Sequence, residues 1–142
     1  MRAGFAARLA ALVLWAVLGF GACGPPDALE KADLVGPLWQ LTLFQDGTSN
    51  PIAVPDPTRY TVRFGTDDRA AVMSDCNTCG GPYSLDGASF RMGPLVCTRA
   101  FCGATSLDPA FPSALEKARA VSMAVPGQLS IHGDGVTLAF TR

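Results

Sequence analysis

An α+β fold is what residues 34–142 predict: a small curled antiparallel β-sheet, barrel-like, covered by one α-helix and stapled by disulfides. Three observations carry that prediction. Apolar and polar residues alternate with period two over most of the span, as they do in strands with one buried face. One segment near residue 110 switches to helical spacing. Four cysteines, Cys76, Cys79, Cys97 and Cys102, fall within a single 27-residue stretch, in a domain whose small core gains from covalent reinforcement.

In chain order, Trp39, Leu41 and Leu43 alternate with Gln40 and Thr42, so a first strand is expected with Trp39 as its core anchor. Gln45 to Thr58 holds three prolines and no periodicity, and reads as a long loop. Tyr60, Val62 and Phe64 then give the cleanest strand, and Asp67-Asp68 reads as a turn before Arg69. Shorter strands are expected at Ala70–Ser74, Tyr83–Leu85 and Phe90–Met92. Asp86-Gly87 joins the last two in a hairpin, because that dipeptide accepts the positive φ of a primed turn. Asp108-Pro109 supplies an N-cap and a first-turn proline. Phe111, Ala114, Leu115 and Ala118 share one face behind it, which predicts a helix over Pro109 to Ala120. Alternation returns at Val121, Met123 and Val125, and again at Leu129, Ile131, Val136, Leu138 and Phe140.

The N-terminus has a different character. Arg2 and Arg8 precede an apolar run, Leu9 to Phe20, of 12 residues. That is shorter than the ~20 residues of a membrane-spanning helix and fits a secretory signal peptide over 1–22. Phe20-Gly21-Ala22-Cys23 resembles the bacterial lipobox, with Phe20 departing from its usual aliphatic residue. Cys23 is therefore expected to carry lipid and to anchor the protein to a membrane. Residues 23–33, with Pro25-Pro26, read as a tether. Removing Arg2 and Arg8 leaves nine Lys and Arg against twelve Asp and Glu, a balance of −3. With no basic cluster, nucleic-acid binding is not expected.

Five cysteines leave one odd thiol, a liability in an oxidising compartment. A lipidated Cys23 removes it and frees the other four to pair. The spacing C-x2-C-x17-C-x4-C lies near a zinc-knuckle pattern, but its last interval is too wide. A redox role for Cys76-Asn77-Thr78-Cys79 needs a helix beginning at the motif, and Gly80-Gly81-Pro82 prevents one. Structural disulfides remain, with three connectivities open and about 2–4 kcal/mol expected per bridge. The lone His132 sits in a turn among glycines and reads as solvated, so neither a metal site nor a catalytic triad is assembled.

Several segments together resemble the META domain, the family of HslJ-like heat-shock lipoproteins. They are Leu34-x-Gly36-x-x-Trp39-x-Leu41, Tyr60-x-Val62-x-Phe64-x-x-Asp67, Asp75-Cys76-Asn77, Gly81-x-Tyr83 and Leu95-x-Cys97-Thr98-Arg99-Ala100-Phe101-Cys102, with Leu129 to Phe140 closing the set. The resemblance spans about Leu34 to Arg142. It implies the same antiparallel sheet with one helix, and nested bridges Cys76–Cys102 and Cys79–Cys97. It also implies a role in envelope maintenance or the stress response; the signal and the cysteines place that role in a Gram-negative-type envelope, and the lack of an assembled base makes it a non-enzymatic one. The domain is then expected to face the periplasm from the outer membrane, or to be secreted if Cys23 carries no lipid. No cofactor or metal is expected; the partner would be an envelope protein or ligand of unknown identity. Asn77, Thr98 and Arg99, polar and beside the bridges, are candidate contact residues; Asn77 and Thr98 read more simply as satisfying backbone groups at a sharp bend, and Arg99 as either pairing with Asp75 or projecting outward. A second expectation is a binding module whose curled sheet or proline-bearing Gln45–Thr58 loop receives a peptide, lipid or partner protein.

Overall fold

The computed structural model describes residues 29–142. A single helical turn, α1 (Lys31–Leu34), leads into β1 (Leu38–Asp46), β2 (Ile52–Ala53), β3 (Tyr60–Phe64), β4 (Arg69–Ser74), β5 (Asn77–Asp86), β6 (Ser89–Met92) and β7 (Val96–Cys97). Helix α2 (Ala110–Glu116) follows, then β8 (Ala118–Val125), β9 (Gln128–Gly133) and β10 (Val136–Thr141). Eight strands close into an antiparallel barrel in the order β1-β10-β9-β8-β6-β5-β4-β3 and back to β1. The short β2 and β7 lie off this ring, β2 on β1 and β7 on β5.

Period-two alternation closes the barrel because each strand turns its apolar set inward. Trp39, Val62, Phe64, Phe90, Ile131, Leu138 and Phe140 are all at most 1% exposed. Trp39 also donates its indole Nε1–H to the Leu34 carbonyl at 2.9 Å, which ties α1 to β1. A register shift between Leu41 and Leu43 breaks the expected alternation in β1. The extra residue turns Phe44 into the core in place of Leu43, which stays half-buried.

Helix α2 closes one end of the barrel. Its Phe111, Ala114 and Leu115 are fully buried, and it touches β1, β4 and β6. The Phe111 ring lies 6.0 Å from Tyr60 and 6.2 Å from Phe140. The helix is shorter than its apolar spacing suggests. Ala118 belongs to β8, where the ladder to β9 takes over the backbone hydrogen bonds. Ala118 is fully buried in the strand, and its place on the expected apolar helix face asks for burial too, so helical spacing alone does not find the boundary. Asp108 is not the N-cap; Pro109 stands there, after a cis peptide bond, with no side-chain cap.

The Gln45–Thr58 segment is more ordered than a loop reading allows. β1 runs on to Asp46, β2 folds back onto Leu43 and Phe44, and Asp56 caps a 3-10 turn at Pro57–Arg59. Leu29 and α1 pack onto the core, although residues 29–33 were expected in the tether. The signal segment and Cys23 lie outside the described residues. No helix among the described residues is long and apolar enough to cross a membrane.

Gly133 sits where β9 meets the start of β8, and a Cβ there would lie 1.9 Å from the Lys117 carbonyl oxygen. Gly133→Ala is therefore expected to cost about 1–3 kcal/mol or more in urea unfolding. Gly80→Ala, whose Cβ would meet nothing nearer than 3.7 Å, is expected to change stability by less than about 1 kcal/mol. Equal effects would show that the β8–β9 approach is looser than described.

Candidate functional site

Polar chemistry concentrates where the β4–β5 hairpin meets residues 96–108. The turn is two residues long, Asp75-Cys76, between the paired Ser74 and Asn77. Asp75 adopts φ 61°, a left-handed conformation that aspartate tolerates better than most residues. Its N–H donates to the Arg59 carbonyl at 2.7 Å.

Two bridges cross from this hairpin to the following segment. Cys76 is joined to Cys102 and Cys79 to Cys97, the second nested inside the first. Cys79 and Cys97 face one another across β5 and β7, with Cα atoms 4.0 Å apart. The four sulfurs are thus paired rather than gathered at one point. Among the described residues no group of three or more His, Cys, Asp or Glu side chains could hold a metal ion.

Asn77 is fully buried between the bridges. Its Oδ1 accepts from the Ala100 N–H at 2.8 Å and the Thr98 hydroxyl at 2.9 Å. Its Nδ2 donates to the Ala100 carbonyl at 2.9 Å and to Asp108 at 2.8 Å. Both lone pairs and both donors are used, the full capacity of the amide. The side chain thereby docks on Ala100 as a neighbouring strand would. Thr98 extends the network, its Oγ1 accepting from the Thr78 N–H at 3.0 Å.

A second anchor lies alongside. Tyr60 donates its hydroxyl to Asp75 at 3.1 Å and accepts from the Leu107 N–H at 3.0 Å. Arg59 pairs with the other Asp75 oxygen, and the Asp75 side chain is 2% exposed. Burial alone would push the Asp75 carboxyl upward. Hydrogen bonds from Ser106 and Tyr60, with the Arg59 guanidinium, outweigh it and hold the group below the usual carboxylate value.

The candidate contact residues separate accordingly. Asn77 works inward and holds the loop. Thr98 is exposed as a residue, but its hydroxyl is committed to Asn77 and Thr78. Arg99 does not pair with Asp75, because Arg59 occupies that carboxylate; it projects outward. It lines a cleft of about 480 Å³ between residues 95–101 and α2, with Phe101, Pro112, Ser113 and Glu116 on its walls. Arg59, Asp108 and Glu116 escape a reading of the sequence, since no local pattern tells that a strand-preceding arginine or a helix-flanking acid will reach a distant hairpin.

Fold and site together define a helix-plugged antiparallel barrel with a disulfide-pinned surface loop. The chain belongs to the META domain family, whose family model matches residues 32–142. It is similar to a protein from Burkholderia xenovorans solved by NMR, at 27% identity and a TM-score of 0.62, over 84% of this chain and 92% of that one. A DUF4847 family protein from Bacteroides vulgatus, known from a crystal structure, shares the fold at 17% identity. Its TM-score is 0.55, over 76% of this chain and 93% of that one. No curated protein matches the chain.

Asn77→Ala strands the Ala100 backbone groups and the Asp108 carboxylate, and is expected to cost about 2–3 kcal/mol. Hydrogen exchange should speed up selectively over residues 98–108; a uniform change along the chain would contradict the anchoring role. Asp75 contributes stability that is fully present above the unfolded carboxylate value of about 3.9 and is lost as pH falls through its lower native value. Asp75→Asn should therefore flatten the acid limb of a stability–pH curve below about pH 4, and an unchanged limb would refute this. Non-reducing peptide mapping should recover Cys76 with Cys102 and Cys79 with Cys97.

Proposed function

We propose that this META-family chain is an exported, non-catalytic envelope protein, anchored through lipid on Cys23 and acting in envelope maintenance or the stress response. The observation that carries the reading is the pair of nested bridges around Asn77. Such bridges persist in oxidising compartments and are rare in reducing ones. A signal-like segment ending in small residues before Cys23 supports the same location, and lipid on that thiol resolves the odd cysteine count.

The chemistry of the site supports a non-catalytic role. Asn77, Tyr60, Asp75 and Asp108 direct their polar atoms at backbone and at one another, so the strongest hydrogen-bonding groups hold a loop. Such a loop is a presentation device, rigid because it is held at two bridges and two polar anchors.

Metabolic palmitate labelling tests the anchor. The wild-type chain should be labelled and sediment with outer membranes, while Cys23→Ser should lose label and move to the soluble fraction. An unlabelled, freely soluble wild-type protein would defeat the anchoring.

A further inference from the structure

β7 pairs with β5 alone, so its other side is an open strand edge beside the cleft. The phase of the pairing says which groups that edge offers. The Thr98 N–H donates to the Thr78 carbonyl at 3.0 Å, so Thr98 faces β5. Hydrogen-bonding direction alternates along an antiparallel strand, which leaves the main-chain N–H and C=O of Cys97 directed away from β5. One residue pair earlier, the outward N–H of Leu95 is already taken by a carboxylate, donating to Glu116 of α2 at 2.6 Å. The edge thus meets an acceptor in the fold itself, and among the described residues the next outward groups, the N–H and C=O of Cys97, have no hydrogen-bond partner.

The lining adds a charge argument. Three charged side chains border the cleft: Arg99, Asp108 and Glu116. Asp108 is bound by Asn77 and Glu116 by Leu95. Arg99 is exposed and has no hydrogen bond or ion pair among the described residues. The apolar Pro109 and Pro112 line the same cleft, as does Phe101, which is 88% exposed.

We propose that the β7 edge and this cleft receive an extended peptide segment, which adds as a strand to β7 and sets an acidic side chain against Arg99. Main-chain bonds to Cys97 supply affinity without regard to sequence, and Arg99 with the proline-lined wall selects the side chains. Because the bridges and Asn77 fix β7 in advance, little ordering is needed on binding. The proposal concerns the surface of the domain and is independent of lipidation at Cys23.

A display library of randomised linear seven-residue peptides, selected on the oxidised full chain in detergent, supplies the probe. Selected peptides should carry Asp or Glu beside aliphatic residues, and should perturb the amide resonances of Leu95, Cys97, Arg99 and Ser113. Arg99→Glu should weaken such a peptide at least tenfold, and replacing the peptide's acid with Lys should restore binding to that variant. Ser113→Trp, which fills the cleft from an exposed helical position, should weaken binding at least tenfold while the circular dichroism stays that of the wild type. Failure to select any peptide would overturn the proposal, as would selected peptides indifferent to Arg99→Glu. Concentration-dependent dimers with the Cys97 amide protected in the absence of peptide would also overturn it, assigning the edge to a second copy of the chain.

Discussion

Closure of the barrel between its first and last strands is the constraint on which the rest of the structure depends. β1 and β10 pair from Gln40 opposite Thr141 to Asp46 opposite Val136. Without that seam, the inward faces of Trp39, Leu138 and Phe140 would open to water, and α2 would have no ring to plug. The opposite side of the ring is thinner: β6 meets β8 at a single paired position, Ser89 with Ala120, supported by the Val121 N–H donating to Ala88. Cohesion there comes from side chains beneath the sheet, where Phe90 packs edge-on against Phe64 at 5.7 Å.

Upon this frame the hairpin at Asp75-Cys76 acts as a fixed point. Bridges give it covalent reach to Cys97 and Cys102, and Asn77 adds a hydrogen-bonded clamp at Ala100. The two kinds of restraint differ in direction. A disulfide limits how far the loop can leave, whereas Asn77 sets its orientation. Together with Tyr60 and Asp75 they hold an irregular segment of chain with few apolar contacts of its own. That is how Arg99 and Phe101 come to be displayed on a rigid base.

Much of this was legible in the residues. Alternation at Tyr60, Val62 and Phe64 marked a strand because each inward position has only one face to satisfy, and the helix showed itself by Phe111, Ala114 and Leu115. What alternation missed was the shift after Leu41, since a bulge depends on the partner strand and leaves no local trace. The end of α2 was missed for a related reason: Ala118 is apolar and suits burial whether helical or extended. At the site, Asn77 and Thr98 were legible as side chains that satisfy backbone at a bend, but the partners of Asn77, Ala100 and Asp108, lie more than twenty residues away and leave no local trace. The residues near the bridges carried the family resemblance, whereas spacing alone left the bridge pattern open.

The nested arrangement of the bridges has a bearing on how the protein can be made. On the proposed export, cysteines 76, 79, 97 and 102 would reach an oxidising compartment in that order. An oxidant that joins them as they arrive makes 76 with 79 and 97 with 102, and neither pair exists in the folded protein. Correct pairing requires that β5 and β7 find their register while the thiols are still free, or that early bonds be reshuffled by thiolate attack. If the chain is exported as proposed, it would depend on disulfide isomerisation, and its yield should then follow the supply of that activity more closely than the supply of oxidant.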